Sequence, residues 1–400
     1  MTKNKSIASV VEGGESVGLS GQPALHEPNA ARERVLVAMS GGVDSSVAAL
    51  LLRDAGFDAA GVTMKLFDNE VAGAGGACVV GESTCCSQSD VEDARQVAFG
   101  LGLEHFTFNF MGTFGEQVID RFCDAYLRGR TPNPCIDCNR YLKFAALQRR
   151  RAQLGFDYVA TGHYARRAFN EATGRYELRR GLDGSKDQSY VLYHLTQDDL
   201  AHMLFPLGEL TKPEVRKLAA EHGFGNAEKP ESQDICFVPD GDYAGFIGRY
   251  LGLQGGEGAP GSFEPGPIVD TAGRVLGQHR GLVHYTIGQR KGIGVAAPEP
   301  LYVLEKDAAE NVLVVGTRNQ LGVTEVRACD VNLISVAAID EPLRVTAKTH
   351  YRQKAQPATA VMDGDQLVVR FDDPVARPAA GQALVVYDGD VVVGGGTIEG

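Results

Sequence analysis

Two sets of residues in this 400-residue chain have types and spacings that could do covalent chemistry. The first is Ser40-Gly41-Gly42-Val43-Asp44-Ser45-Ser46. Paired glycines let a backbone approach an anion closely, and the serines add hydroxyl donors. Asp44 could orient a metal ion or a water. The second set is thiols: Cys135 and Cys138 in Thr131-Pro132-Asn133-Pro134-Cys135-Ile136-Asp137-Cys138, and Cys236 in Ser232-Gln233-Asp234-Ile235-Cys236. The two prolines force an extended approach that places Cys138 near a helix N-terminus, where the dipole favours thiolate. A thiolate can attack, carry sulfur or bind metal. An isolated cysteine is more often a small buried hydrophobe, so the thiols need their context.

Each set needs elements to hold it. Val35 to Met39 is a continuous apolar run, as in a strand buried on both faces, and from Ser45 onward Val47, Leu50 and Leu51 recur with helical spacing. Strand, glycine turn, helix is a phosphate-binding unit, because the first amides of a helix are unpaired and its dipole is positive there. A Gly-Lys-Ser/Thr ending and a G-x-G-x-x-G fingerprint are both absent from it, which excludes the Walker and dinucleotide loops. Strands at Ala59–Met64, Glu104–Phe110 and Tyr158–Thr161 alternate with helices at Val91–Leu101, Phe114–Leu127 and Tyr141–Arg151. The expected fold is therefore a doubly wound parallel sheet with ligands at the carboxyl ends of its strands. Helices at Tyr190–Leu204 and Pro213–His222 close this domain near residue 240.

After Gly241 the glycine and proline content rises, with β-like pieces at Val283–Ile287 and Leu301–Leu304. From about Arg318, short strands at Leu343–Lys348, Ala358–Met362, Gln366–Phe371, Ala383–Tyr387 and Val391–Val393 suggest a small antiparallel barrel. Residues 1–33 lack a hydrophobic period and read as a disordered extension. The expected division is 1–33, 34–240, 241–317 and 318–400. The stretch 68–89 is glycine-rich, carries Cys78, Cys85 and Cys86, and reads as a loop.

With 44% hydrophobic and 22% charged residues the chain has an ordinary globular composition. It shows neither a membrane-length apolar run nor a signal-peptide core, so a cytoplasmic location is expected. There, eight cysteines read as thiols, catalytic groups or metal ligands rather than a disulfide framework. A net charge of −12 argues against a nonspecific nucleic-acid coat. Local basic clusters at Arg149–Arg151, Arg166-Arg167, Arg179-Arg180, Arg290-Lys291 and Lys348–Lys354 leave room for a basic face.

SGGVDSS resembles the PP-loop of the ATP pyrophosphatase superfamily, which splits ATP between the α and β phosphates. Together with TPNPCIDCNRYLKF, ATGHY, GLDGSKDQSYVLY, SQDICF and HYTIGQRKGIG, it makes the chain from about Arg34 to Glu399 resemble the tRNA-specific 2-thiouridylase family. That resemblance implies adenylation of the uracil O2 of a wobble uridine, then sulfur transfer to C2 from a persulfide. It implies Cys138 as nucleophile, Cys236 as persulfide carrier, and a transient disulfide between them. By the same resemblance, Ala38, Met39, Ser40, Gly41, Gly42, Val43, Asp44, Ser45, Met64 and Gly162 contact ATP, usually with Mg²⁺. Asn133, Pro134 and Cys135 take the target base. His163, Lys186, Asp187, Gln188, His350, Tyr351 and Gln382 contact tRNA, the middle domain helps recognise it, and a cysteine desulfurase or sulfur relay protein donates sulfur to a monomer.

One departure stands out. Some family members carry an acid or base aspartate where this chain has Cys135, leaving Asp137 or a water for that role. Cys135 also completes a Cys-x-x-Cys pair, so Cys135, Cys138 and Cys236, or a set including Cys78, Cys85 and Cys86, are candidate ligands for an iron–sulfur cluster or zinc. Two other readings stay open. One is a PP-loop enzyme that activates a small-molecule carbonyl for attack by nitrogen, which needs no paired cysteines. The other is a noncatalytic RNA-binding or sulfur-carrier protein.

Overall fold

The computed structural model describes residues 33–66, 88–229, 235–252 and 261–399. The N-terminal extension, the loop carrying Cys78, Cys85 and Cys86, and Ser232 to Asp234 lie outside them.

The first part is built on a parallel sheet of β1 (Arg34–Ala38), β2 (Asp58–Lys65), β3 (Glu104–Asn109), β4 (Tyr158–Thr161) and β7 (Met203–Leu204), in the order β3-β2-β1-β4-β7. β1 is central, and Val35, Leu36 and Val37 are fully buried, as an apolar run between two helical layers requires. α1 (Val43–Asp54) and α2 (Gln88–Gly100) pack Leu50, Leu52, Ala94 and Ala98 on one face of the sheet. On the other face, α3 (Met111–Phe114), a π-helical turn at Gly115–Ile119 and α4 (Asp120–Leu127) run on from one another, burying Phe114, Val118 and Phe122. α5 (Pro134–Asp137), a π-helical stretch at Cys138–Ala146 and α6 (Leu147–Gln153) form a second such run.

The expected helix at Tyr190–Leu204 is instead a 3₁₀ turn at Ser189–Leu192, α7 (Gln197–Ala201) and strand β7. Thr196 and Asp199 form a capping box, which restarts the chain as a new helix. α8 (Lys212–Glu221) lies where a helix was expected, and α9 (Tyr243–Tyr250) begins just beyond the change in composition.

A small mixed sheet follows, in the order β10-β11-β8-β9: β8 (Gly266–Val269), β9 (Val275–His279), β10 (Tyr302–Asp307) and β11 (Val312–Gly316). The expected strand at Val283–Ile287 contains a 3₁₀ turn, Leu282–His284, which buries Leu282 and Tyr285 against Ile268 and Val303. The last part is an antiparallel barrel of β12 (Gly322–Leu333), β13 (Leu343–Lys348), β14 (Gln356–Asp363), β15 (Gln366–Ala376), β16 (Ala383–Asp388) and β17 (Val391–Ile398). Pairing of β12 with both β15 and β17 closes it. The hairpin β5 (Ala165–Asn170) and β6 (Arg175–Arg180) leaves the first part and adds to the barrel sheet through Val391 and Arg179.

Candidate active site

The glycine turn at the end of β1 is held from three sides. Gly41 is left-handed, with φ +71°, and a Cβ there would fall 2.4 Å from the Asp90 carbonyl oxygen at the start of α2. Gly42 is the N-cap of α1 and has no side chain to cap its first amides. Those amides and the dipole make the mouth of the turn suitable for phosphate. Ser45 and Ser46 are buried, and each donates its hydroxyl to the Gly42 carbonyl, at 3.0 and 3.1 Å. Their hydroxyl protons thus brace the loop, whereas Ser40 is exposed. Asn226 donates to the Gly41 carbonyl at 2.9 Å and to Ser46 Oγ at 3.0 Å.

Asp44 is held by Lys212, whose Nζ lies 2.7 and 2.8 Å from its two oxygens, and by Tyr164, whose hydroxyl donates to it at 2.8 Å. Lys212 is almost wholly buried at the first turn of α8. Sequence reasoning missed Lys212 and Asn226. Asn226 reads as an ordinary turn residue after a helix end, and Lys212 as the solvated start of an amphipathic helix 168 residues from its partner.

Gly162 follows β4, where a Cβ would meet Ser45 N at 2.8 Å, so the strand end presses directly on the loop. Met64 is buried near the end of β2. His163 is buried as well, its Nδ1 2.7 Å from Thr161 Oγ1 and its ring beside Phe144 and Phe205. Burial holds its pKa well below the ordinary imidazole value, followed by Lys143 and His194 in effect.

Asn133 caps α5 by accepting from Cys135 N at 3.2 Å, and Pro134 occupies the first turn. The helix therefore begins before Cys138, which lies one turn in, at the start of the π-helical stretch. Cys135 is exposed and Cys138 half-buried. Asp137 is mostly buried, with Arg121 Nε at 3.8 Å. Burial pushes its carboxyl up to about 6, and the opposing pulls of Arg121 and Arg140 do not offset it. Arg140 in turn grips Asp330 of the barrel with both terminal nitrogens.

Cys236 is half-buried beside Phe237, whose ring lies 5.2 Å from Phe122 and 5.8 Å from Phe114. Cys138 and Cys236 both pack at the border of the same apolar cluster. A chain of neighbours links them: Asp137 precedes Cys138 and pairs with Arg121, which precedes Phe122, whose ring meets Phe237, the neighbour of Cys236, edge to face. The described thiols Cys135, Cys138 and Cys236 are not gathered into a ligand set. Among the described residues no group of three or more His, Cys, Asp or Glu side chains is placed to hold a metal ion.

The remaining expected contacts fall into two places. Gln382 donates to the Thr131 carbonyl at 2.7 Å, so the barrel holds the entry to the Asn133–Cys135 segment. Lys186, Asp187, Gln188, His350 and Tyr351 lie at the seam of first part and barrel. There Asp187 accepts from Gly181 N and Ser189 N, Gln188 brackets the Tyr164 backbone, and Tyr351 sits 6.1 Å from the Tyr190 ring.

A central parallel strand that enters a helix through a tightly packed glycine turn, with two thiols bordering the cluster on one side of the sheet, defines an ATP-using α/β domain of the PP-loop kind. Family models agree: residues 33–240 match a tRNA methyl transferase HUP domain, 260–317 a tRNA methyl transferase PRC-barrel domain, and 323–398 an aminomethyltransferase beta-barrel domain. The tRNA-specific 2-thiouridylase MnmA 1 of Thermoanaerobacter sp. (strain X514) is 49% identical over 367 residues, covering 92% of this chain and 98% of that one. The tRNA-specific 2-thiouridylase MnmA of Clostridioides difficile (strain 630) is 46% identical over 369 residues, with the same coverage. The chain belongs to the tRNA-specific 2-thiouridylase family. Among solved structures, a 4-thiouridine synthetase–RNA complex with bound ATP aligns at 19% identity and a TM-score of 0.35, covering 52% of this chain and 45% of that one.

Proposed function

We propose that the chain catalyses ATP-dependent 2-thiolation of the wobble uridine of tRNA, as a tRNA-uridine 2-sulfurtransferase. The observation that carries this is one apolar cluster bordered by both Cys138 and Cys236, in a chain whose glycine turn opens on a bare helix N-terminus. Oxygen leaves carbon poorly and AMP leaves well. Uracil O2 attacks the α phosphate of ATP, pyrophosphate departs, and Ala38–Ser45, Met64 and Gly162 hold the nucleotide. The terminal sulfur of a Cys236 persulfide attacks C2 and AMP leaves with the oxygen. Cys138 thiolate then attacks Cys236 Sγ, which releases 2-thiouridine and leaves a Cys138–Cys236 disulfide for an external thiol to reduce.

Asn133, Pro134 and Cys135 receive the base, while His163, Lys186–Gln188, His350, Tyr351 and Gln382 contact the tRNA. His163 reaches it only if its buried ring is uncovered. The division into 34–240, 241–317 and 318–400 follows these roles, with tRNA recognition assigned to the middle part. We assign no resident metal. Both Asp44 oxygens are taken by Lys212, so Mg²⁺ enters with the ATP phosphates and its waters rather than in a protein cage. An iron–sulfur cluster on Cys135, Cys138 and Cys236 has no ligand grouping to support it. A persulfide-bearing protein, a cysteine desulfurase or a relay protein, loads Cys236. The enzyme acts as a monomer in the cytoplasm; among the described residues no helix is long and apolar enough to cross a membrane.

The test uses purified full chain, unmodified tRNA, ATP and a persulfide donor. Cys138→Ser and Cys236→Ser each abolish 2-thiouridine while pyrophosphate release persists. Normal product from both variants overturns the proposal, and ATP consumption that depends on an amine acceptor favours an amide-forming enzyme.

A further inference from the structure

Arg180 and Lys348 lie where the β5–β6 hairpin joins the barrel, each against tyrosine rings. Arg180 lays its guanidinium over the Tyr387 ring, 4.0 Å from the centroid. Its Nε and Nη2 are buried and make no hydrogen bond. Lys348 is 9% exposed, with Nζ 5.4 Å from the Tyr190 ring centroid and 5.6 Å from that of Tyr351. Burial lowers its pKa, Asp187 pulls it back up, and Arg180 adds a further push down, so the two cations sense each other. Asp187 is the acid facing them, and it already accepts from Gly181 N and Ser189 N. Tyrosine faces stabilise a cation but do not take its N–H protons.

Asp187 sets one negative charge against these two positive ones and takes neither of the two buried Arg180 donors, which leaves them without an acceptor. Resting on the thiolation reading, we propose that Arg180 and Lys348 form a recessed slot for one phosphodiester of the RNA backbone. Arginine suits phosphate because its donors match two oxygens at once, and lysine adds a point charge. Tyr351 is 38% exposed at the rim, where an aromatic face beside a phosphate site offers a base a stacking surface. That pairing of cation and aromatic favours a nucleic-acid phosphate over a free anion.

The full chain is titrated with unmodified tRNA across a KCl series. Lys348→Met is expected to weaken binding about tenfold at 0.1 M salt and to flatten the plot of log K against log salt by a little under one, as loss of one phosphate contact requires. Lys348→Arg restores the slope. In turnover, Lys348→Met raises KM for tRNA and leaves kcat at saturating tRNA within about twofold. A merely structural lysine moves neither slope nor KM, and wild-type values in Lys348→Met overturn the slot. Should Lys348→Met fail to fold, acylation of Lys348 in the wild-type chain decides. tRNA must protect it at low salt, and unchanged labelling refutes the slot. Equal protection by inorganic phosphate alone assigns the slot to a free anion and overturns the RNA reading. Wild-type chain that binds tRNA with the Lys348-dependent slope yet forms no 2-thiouridine fails the thiolation reading alone.

Discussion

Asp137 precedes the proposed nucleophile, and replacing it with asparagine should stabilise the protein in a pH-dependent way. Its carboxyl is raised from 3.8 to about 6 by burial, despite Arg121 at 3.8 Å. A raised acid is destabilising when ionised: the folded chain holds more protons than the unfolded one between those two values, so stability falls as pH rises through them. The gap corresponds to about 3 kcal/mol, fully present above about pH 6, about half present at pH 5 and gone below about pH 3.8. Asp137→Asn removes that cost and keeps the shape, and loss of the Arg121 pair takes back about 0.5 kcal/mol. For a unit of this size, about 1 kcal/mol moves the thermal midpoint by about 3 °C. The expected gain is therefore about 6 to 8 °C at pH 8 and about half of that at pH 5. Differential scanning calorimetry at both values checks it. A lower midpoint at pH 8 shows that the Arg121 pair outweighs desolvation, an equal gain at both values shows that the Asp137 carboxyl does not titrate between them, and either result refutes the reasoning.

Lys212→Met strands Asp44 with only the Tyr164 hydroxyl, which should cost about 3 kcal/mol, and pyrophosphate release should fall by at least tenfold. Calorimetry and a pyrophosphate assay check the two effects, and unchanged release would remove Lys212 from the ATP site. Gly41→Ala places a methyl on the Asp90 backbone at a left-handed position, so ATP affinity by titration calorimetry should drop by more than tenfold.

What could be read from the chain alone was what is local. Val35 to Met39, the two glycines and the helical spacing after Ser45 lie within twenty residues, and they fold as their pattern dictates. The hairpin β5–β6 escaped notice because Arg166-Arg167 and Arg179-Arg180 read as clusters for a basic face rather than as strand residues. Two of its arginines are in fact committed to distant acceptors: Arg166 to Asp390, and Arg175 to the Ile334 carbonyl. The helix expected over Tyr190–Leu204 has the right apolar spacing, but Thr196 with Asp199 is a start signal in its middle, and a start signal outranks periodicity. The clamp on Asp44 carries no local mark, because a lysine becomes a buried ion only when α8 packs beside α1.

Together these features make the barrel a wall of the catalytic part rather than a module attached to it. β6 donates Arg180 N to the Asp390 carbonyl, Arg140 beside Cys138 grips Asp330, and Gln382 holds Thr131 ahead of the base segment. Each contact crosses from the first part to the barrel and ends within a few residues of a proposed base or RNA contact. A change that loosens barrel closure, at β12 with β17 for instance, therefore acts on the approach to Cys138 as well as on RNA affinity. On the proposed seating of RNA across the seam, the same contacts would be held in register, which would link binding to the readiness of the proposed nucleophile.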